Sequence, residues 1–142
     1  MNKTNQTLTE VQRKDLTAYC TVLLNDFCAK TAGVQSATIA TFDGVTVAST
    51  IIGKTEGDKI SAMSSSISAL AAALTNEVKH PEPDRVLLES EHGRIIFIKV
   101  PAASVGMVFT AVTNHNAVLG TLLWNCRSTS ERLAAYASKF LG

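Results

Sequence analysis

From Ile60 to Asn76 the chain runs for 17 residues without a single charge, and its apolar residues keep a helical spacing throughout. Ile60, Met63, Ile67, Leu70, Leu74 and Val78 recur at steps of three and four, which places them on one face of a helix spanning Asp58 to Lys79. Opposite them stand Ser61, Ser65, Ser68 and Ala72, with Ser64, Ala69 and Ala73 close by. A helix lying on a sheet ordinarily turns Lys and Glu to water, and this one has none to turn. The apolar stripe is expected to enter the core of the protomer, which leaves the small face for a second chain. Small side chains let another helix approach closely and lose little rotamer entropy on burial, whereas Lys or Glu there would have to be desolvated. On this ground the expected dimer contacts are Ser61, Ser64, Ser65, Ser68, Ala69 and Ala72. An interfacial membrane helix fits poorly, because the small face lacks the Lys and Arg such helices carry.

The segments around this helix complete one domain. Thr9 and Gln12 have capping-box spacing and open a first helix with Leu16, Cys20, Leu23 and Phe27 on one face, stopped by Gly33. Ser36 to Ser49 is rich in Thr, Val and Ile and is broken by Asp43 and Gly44, a pair suited to a hairpin turn between two antiparallel strands. Pro81 and Pro83 end the second helix. Two strands follow, Arg85 to Ser90 and Arg94 to Val100, turning at Glu91, His92 and Gly93. Met107 to Thr113 is apolar at nearly every position, as expected of a strand in the sheet centre. Asn116 is placed to cap a last helix through Leu119, Leu122, Leu123 and Cys126. Ser128 with Glu131 offers a second capping box, and so a kink, before Leu133, Tyr136 and Phe140. The order helix, two strands, helix, three strands, helix gives an α+β domain on one antiparallel sheet. Residues 1–8 are expected to be a flexible N-terminus and 9–142 the domain.

With 46% hydrophobic and 18% charged residues, 142 residues suffice for one buried core and leave little for a second domain. A net charge of +1 without a basic block argues against nucleic acid and membrane surfaces as partners. The polar N-terminus lacks a secretory apolar stretch, and Cys20, Cys28 and Cys126 lack CxxC spacing, so free thiols in the cytoplasm are expected. His80, His92 and His115 show no metal-ligand spacing, and neither a metal nor a cofactor is expected. Ser64, Ser65 and Ser66 lack a nucleophile elbow, and Glu89 with Glu91 reads as a solvated hairpin edge, so no catalytic residue is assigned. Ala48 to Thr55 matches a relaxed phosphate-binding loop ending in Lys54 and Thr55. Glu56, Gly57 and Asp58 are expected to separate it from the helix, and the two carboxylates would oppose a phosphate.

Taken in order, Gly33 and Val34, Asp43 and Gly44 with Ala48 after the hairpin, the Ala- and Ser-rich second helix, Gly93, and Asn116, Leu119 and Gly120 form a recognisable series. The chain resembles the Roadblock family of dynein light chains and their bacterial relatives, over about Leu16 to Tyr136. The resemblance implies a five-stranded antiparallel sheet with one helix on one face and the two terminal helices on the other. It implies a homodimer in which the second helices of two protomers lie together and the strands at Arg85 to Ser90 pair edge to edge, adding Val86 and Leu88 to the interface. Family members act on Ras-like small GTPases as activators or scaffolds, or connect cargo to dynein, and none is an enzyme on its own. The function implied is a non-enzymatic homodimeric regulatory or scaffold module that binds a Ras-like small GTPase and modulates its nucleotide state or localisation. The charge-free stretch from Val100 to Cys126 holds no arginine to act as a catalytic finger, and Arg85, Arg94 and Arg127 are not distinguished from one another. The alternative is a small-ligand sensor with a pocket between sheet and helix.

Overall fold

Eight elements follow one another in the computed structural model, which describes residues 8–101 and 105–141. They are α1 (Glu10–Lys30), β1 (Val34–Thr41), β2 (Thr46–Ser49), α2 (Lys54–Glu77), β3 (Arg85–Ser90), β4 (Gly93–Lys99), β5 (Met107–Asn114) and α3 (Leu119–Phe140). The flexible stretch expected over residues 1–8 lies outside the described residues except for Leu8, which packs half-buried against the core. The sheet is antiparallel throughout, in the order β2-β1-β5-β4-β3, so β5 is central and β3 is an edge.

Local chemistry explains most of the boundaries. The Thr9 hydroxyl accepts from the Gln12 N–H and the Gln12 side chain accepts from the Thr9 N–H, so the capping box forms as expected. At the first hairpin Gly44 takes φ +90° and its N–H donates to the Thr41 carbonyl at 3.0 Å. Gly93 opens β4 at φ +153°, packed so closely on β5 that a Cβ would run into the Thr113 carbonyl oxygen. Gly93→Ala is therefore expected to destabilise the fold by roughly 2 kcal/mol or more, read as a lowered thermal midpoint.

Two boundaries differ from the sequence expectation. Helix α2 begins at Lys54 rather than Asp58, because Gly53 at φ +102° turns the chain and Lys54 Nζ pairs with Asp58 across the first turn at 2.7 Å. Helix α3 has no side-chain cap at Val118: Asn116 instead gives its own N–H to Asn114 Oδ1 at 2.9 Å. The helix also runs unbroken through Ser128, since Leu122, Cys126, Leu133 and Ala137 continue a single buried stripe across that point.

The main core lies between the sheet and the pair α1 and α3. Leu16, Leu23 and Phe27 of α1 and Leu122 and Leu133 of α3 meet Ala37, Ile39, Ile96, Phe109 and Ala111 from alternate strand positions. Phe27 and Phe109 stack edge to face at 5.0 Å. Helix α2 alone covers the opposite face of the sheet.

Candidate protein interaction surface

Helix α2 lies the other way round from the sequence expectation. Ser61 is fully buried, and Ser64 and Ser65 are buried beside it, all three against the protomer's own sheet. Ser61 Oγ shares a 2.6 Å hydrogen bond with Thr46 Oγ1, Ser64 Oγ accepts from Thr110 Oγ1 at 2.8 Å, and Ser65 Oγ donates to the Thr41 carbonyl at 2.9 Å. The face of the sheet beneath α2 carries threonines, and a hydroxyl-rich helix satisfies them where leucines would leave them unpaired. Small side chains also let the helix sit close to the strands. These three serines therefore serve the fold, which corrects their expected place in the dimer contact.

The large apolar residues consequently point outward. Met63, Leu70 and Leu74 are 53%, 70% and 63% exposed, Val78 is exposed, and Ile60 and Ile67 are half-buried beside them. No charged side chain interrupts this stripe between Ile60 and Asn76. Of the remaining expected contacts, Ala69 and Leu88 are exposed, while Ser68, Ala72 and Val86 are half-buried. Leu88 and Val86 sit on β3, whose outer edge has no strand partner among the described residues. An apolar stripe and an open strand edge on one molecule are two unsatisfied surfaces of the kind that association covers. The residues that sequence reasoning missed, Met63, Leu70 and Leu74, were already visible as the charge-free stripe. Choosing which face met the sheet required knowing that the hydroxyls of Thr46 and Thr110 and the Thr41 carbonyl lie there.

Other charged residues singled out in the sequence are committed to ion pairs among the described residues. Lys54 pairs with Asp58, which also accepts from Thr46 Oγ1 at 2.7 Å, and these two contacts, Lys54's first, hold the Asp58 carboxyl below its ordinary range. A hollow beside them, about 320 Å³ and lined by Ser49, Ile51, Gly53 and Gly57 among others, has the Asp58 carboxylate in its wall. Although the helix starts directly at Lys54, that carboxylate disfavours a phosphate there. Arg94 pairs with Glu89 at 3.1 Å. Among the described residues no group of three or more His, Cys, Asp or Glu is placed to hold a metal ion. No helix of the described residues is long and apolar enough to cross a membrane.

Cys20 and Cys126 are buried and Cys28 is half-buried. Burial pushes both Cys20 and Cys126 from 9.0 up to about 12, and raises Cys28 as well. Below pH 9 a thiol at 9.0 or at 12 is protonated in both the folded and the unfolded chain, so folding gains nothing from it there. Above 9 the unfolded chain ionises while the folded chain does not. Stability is therefore expected to fall between pH 9 and 12. The slope is roughly 1.4 kcal/mol per pH unit for each of these thiols, measurable by urea unfolding across that range.

Residues 21–105 match the model of the Roadblock/LC7 domain. The chain belongs to the Roadblock/LC7 family. No match to a curated protein sequence was found. Among solved structures it is similar to a Roadblock/LC7 domain from Streptomyces avermitilis, at 12% identity and TM-score 0.75, over 82% of this chain and 95% of that one. It is similar to Myxococcus xanthus MglB, at 12% identity and TM-score 0.74, over 95% of this chain and 96% of that one. The gliding protein MglB from Thermus thermophilus is 14% identical, with TM-score 0.74, over 95% of this chain and 97% of that one. At these identities the likeness establishes the shared fold: five antiparallel strands with α2 on one face and α1 and α3 on the other.

Proposed function

We propose that this Roadblock/LC7 chain is a non-enzymatic homodimeric module that binds a Ras-like small GTPase and modulates its nucleotide state or its location in the cytoplasm. The observation that carries the dimer is the outward stripe of Met63, Leu70 and Leu74 on a helix without charges, on the same chain as the open edge of β3. A twofold axis between two copies would set each stripe against itself and pair β3 with β3, covering both surfaces in one event. Ala69, Ala72 and Ser68 would permit close helix approach between the larger residues, with Val86 and Leu88 contributing from the strand.

The GTPase half rests on the family. Roadblock proteins act on Ras-like small GTPases as activators or scaffolds, or connect cargo to dynein, and none is an enzyme on its own. Three free thiols suit a reducing compartment. Immobilised protein is expected to retain a small GTPase from lysate loaded with GTP or with GDP, the preferred state telling activator from scaffold. Recovery of none in either state would remove the partner, and light scattering of the same preparation tests the dimer separately.

A further inference from the structure

The open edge strand β3 is its own complement when reversed. Its run Arg85, Val86, Leu87, Leu88, Glu89 carries a cation two residues before Leu87, a carboxylate two residues after it, and only apolar side chains between. Three successive apolar residues on an unpaired edge lack the central charge that ordinarily keeps such an edge from pairing. The register with β4 fixes the faces. Leu87 lies opposite Ile96 and Arg85 opposite Ile98, so Arg85, Leu87 and Glu89 stand on the face that α1 and α3 cover. Val86 and Leu88, opposite Phe97 and Ile95, stand on the face of α2, which contacts β3. Arg85 and Glu89 are both exposed.

We propose that β3 pairs with the β3 of a second copy in the register that sets Leu87 against Leu87. Arg85 of each copy then faces Glu89 of the other, and this double ion pair selects a like chain as the partner. The register rests on the homodimer proposed above. For the two α2 stripes to meet, both helices must lie on one side of the joined sheet. The twofold axis is then perpendicular to the sheet, the two strands run antiparallel, and odd-numbered residues face odd, even face even. Centred on Leu87, five of the six residues of β3 find a partner in the copy, with Val86 facing Leu88 twice on the α2 side. Centring on Leu88 sets Leu87 against Glu89 and Val86 against Ser90, while centring on Val86 sets Arg85 against Leu87 and Asp84 against Leu88. Centring on Arg85 or Glu89 opposes like charges, which is destabilising. Glu89 already accepts from Arg94 Nε at 3.1 Å, so in the Leu87 register its carboxylate lies between a guanidinium of its own chain and one of the copy. An unrelated edge strand would have to bring the opposite charges at the same spacing to pair as well.

Arg85→Glu and Glu89→Arg are made singly and together, and dissociation on dilution is followed by light scattering at about 50 mM salt, where such pairs are little screened. Each single variant sets like charges face to face twice, and its dimer should dissociate at a concentration roughly tenfold to a hundredfold above the parent's. Mixed in equal amounts, the two singles present carboxylates to guanidiniums and should associate within about threefold of the parent, as a mixed pair seen by native mass spectrometry. The double variant exchanges both signs and should dimerise equally well. Arg85→Glu removes no ion pair of the protomer among the described residues, whereas Glu89→Arg loses the contact with Arg94. The mixture keeps that loss, so its recovery reports on the contact between chains alone. A parent that is a single chain at tens of micromolar would overturn the homodimer and this register with it. With a dimeric parent, singles that associate as the parent does, or a mixture and double variant as weak as the singles, would overturn the register and leave the homodimer standing.

Discussion

Leu70→Glu is expected to convert the protein from a dimer of two 15.1 kDa chains into a single folded chain, seen as a halved mass in light scattering at tens of micromolar. Leu70 is the most exposed of the large apolar residues on α2, so the melting temperature of the isolated chain should change little. In the proposed dimer, stripe set against stripe, the same position would face its own copy near the twofold axis. There the substitution enters twice, bringing two carboxylates together in a contact that offers them neither water nor a cation. A cost of about 3 kcal/mol or more in the association, over a hundredfold in its constant, follows from stranding such charges. If Leu70→Glu retains the parental mass, α2 is not the contact. If the parent itself is a single chain at that concentration, the homodimer is wrong altogether. Leu74→Glu, one turn along, should act in the same direction.

Much of this architecture was legible before any coordinates. The Thr9 and Gln12 box, the Asp43 and Gly44 turn and the two prolines after α2 are local signals, and each lies where the structure uses it. The central position of β5 followed from a run that is apolar at nearly every position, as expected of a strand covered on both faces. What failed was the assumption that large apolar side chains always face inward. On α2 the protomer buries hydroxyls against hydroxyls, and which pairs form depends on β1, β2 and β5 converging on one sheet face, information that no single segment carries. The start of α2 was misplaced for a related reason: Gly57 reads as a loop residue, yet it lies buried inside the helix, where an added Cβ would only come into ordinary contact with Ser49.

Ser65→Glu separates the two orientations of α2 most sharply. Were the serine face the dimer contact, the substitution would dissociate the dimer and leave a well-folded chain. In the structure Ser65 is buried and gives its hydroxyl to the Thr41 carbonyl at 2.9 Å, with Ala62 and the Gly44 turn close by. A glutamate there loses the donor and directs a negative charge toward a carbonyl oxygen in a buried site. Either the carboxylate ionises in a poorly solvated site or it takes up a proton at neutral pH, and both routes cost several kcal/mol. For a domain whose total stability is on the order of 5–15 kcal/mol, that is enough to unfold a large fraction of the chain. The expected outcome is a melting temperature lower by ten degrees or more, on the order of what such a loss implies for this size, together with loss of the hairpin's protection from amide exchange. Ser65→Ala, which removes one hydrogen bond but no space, should cost only about 1 kcal/mol. A Ser65→Glu protein that melts like the parent and merely changes mass would restore the serine face to the interface and turn the helix over.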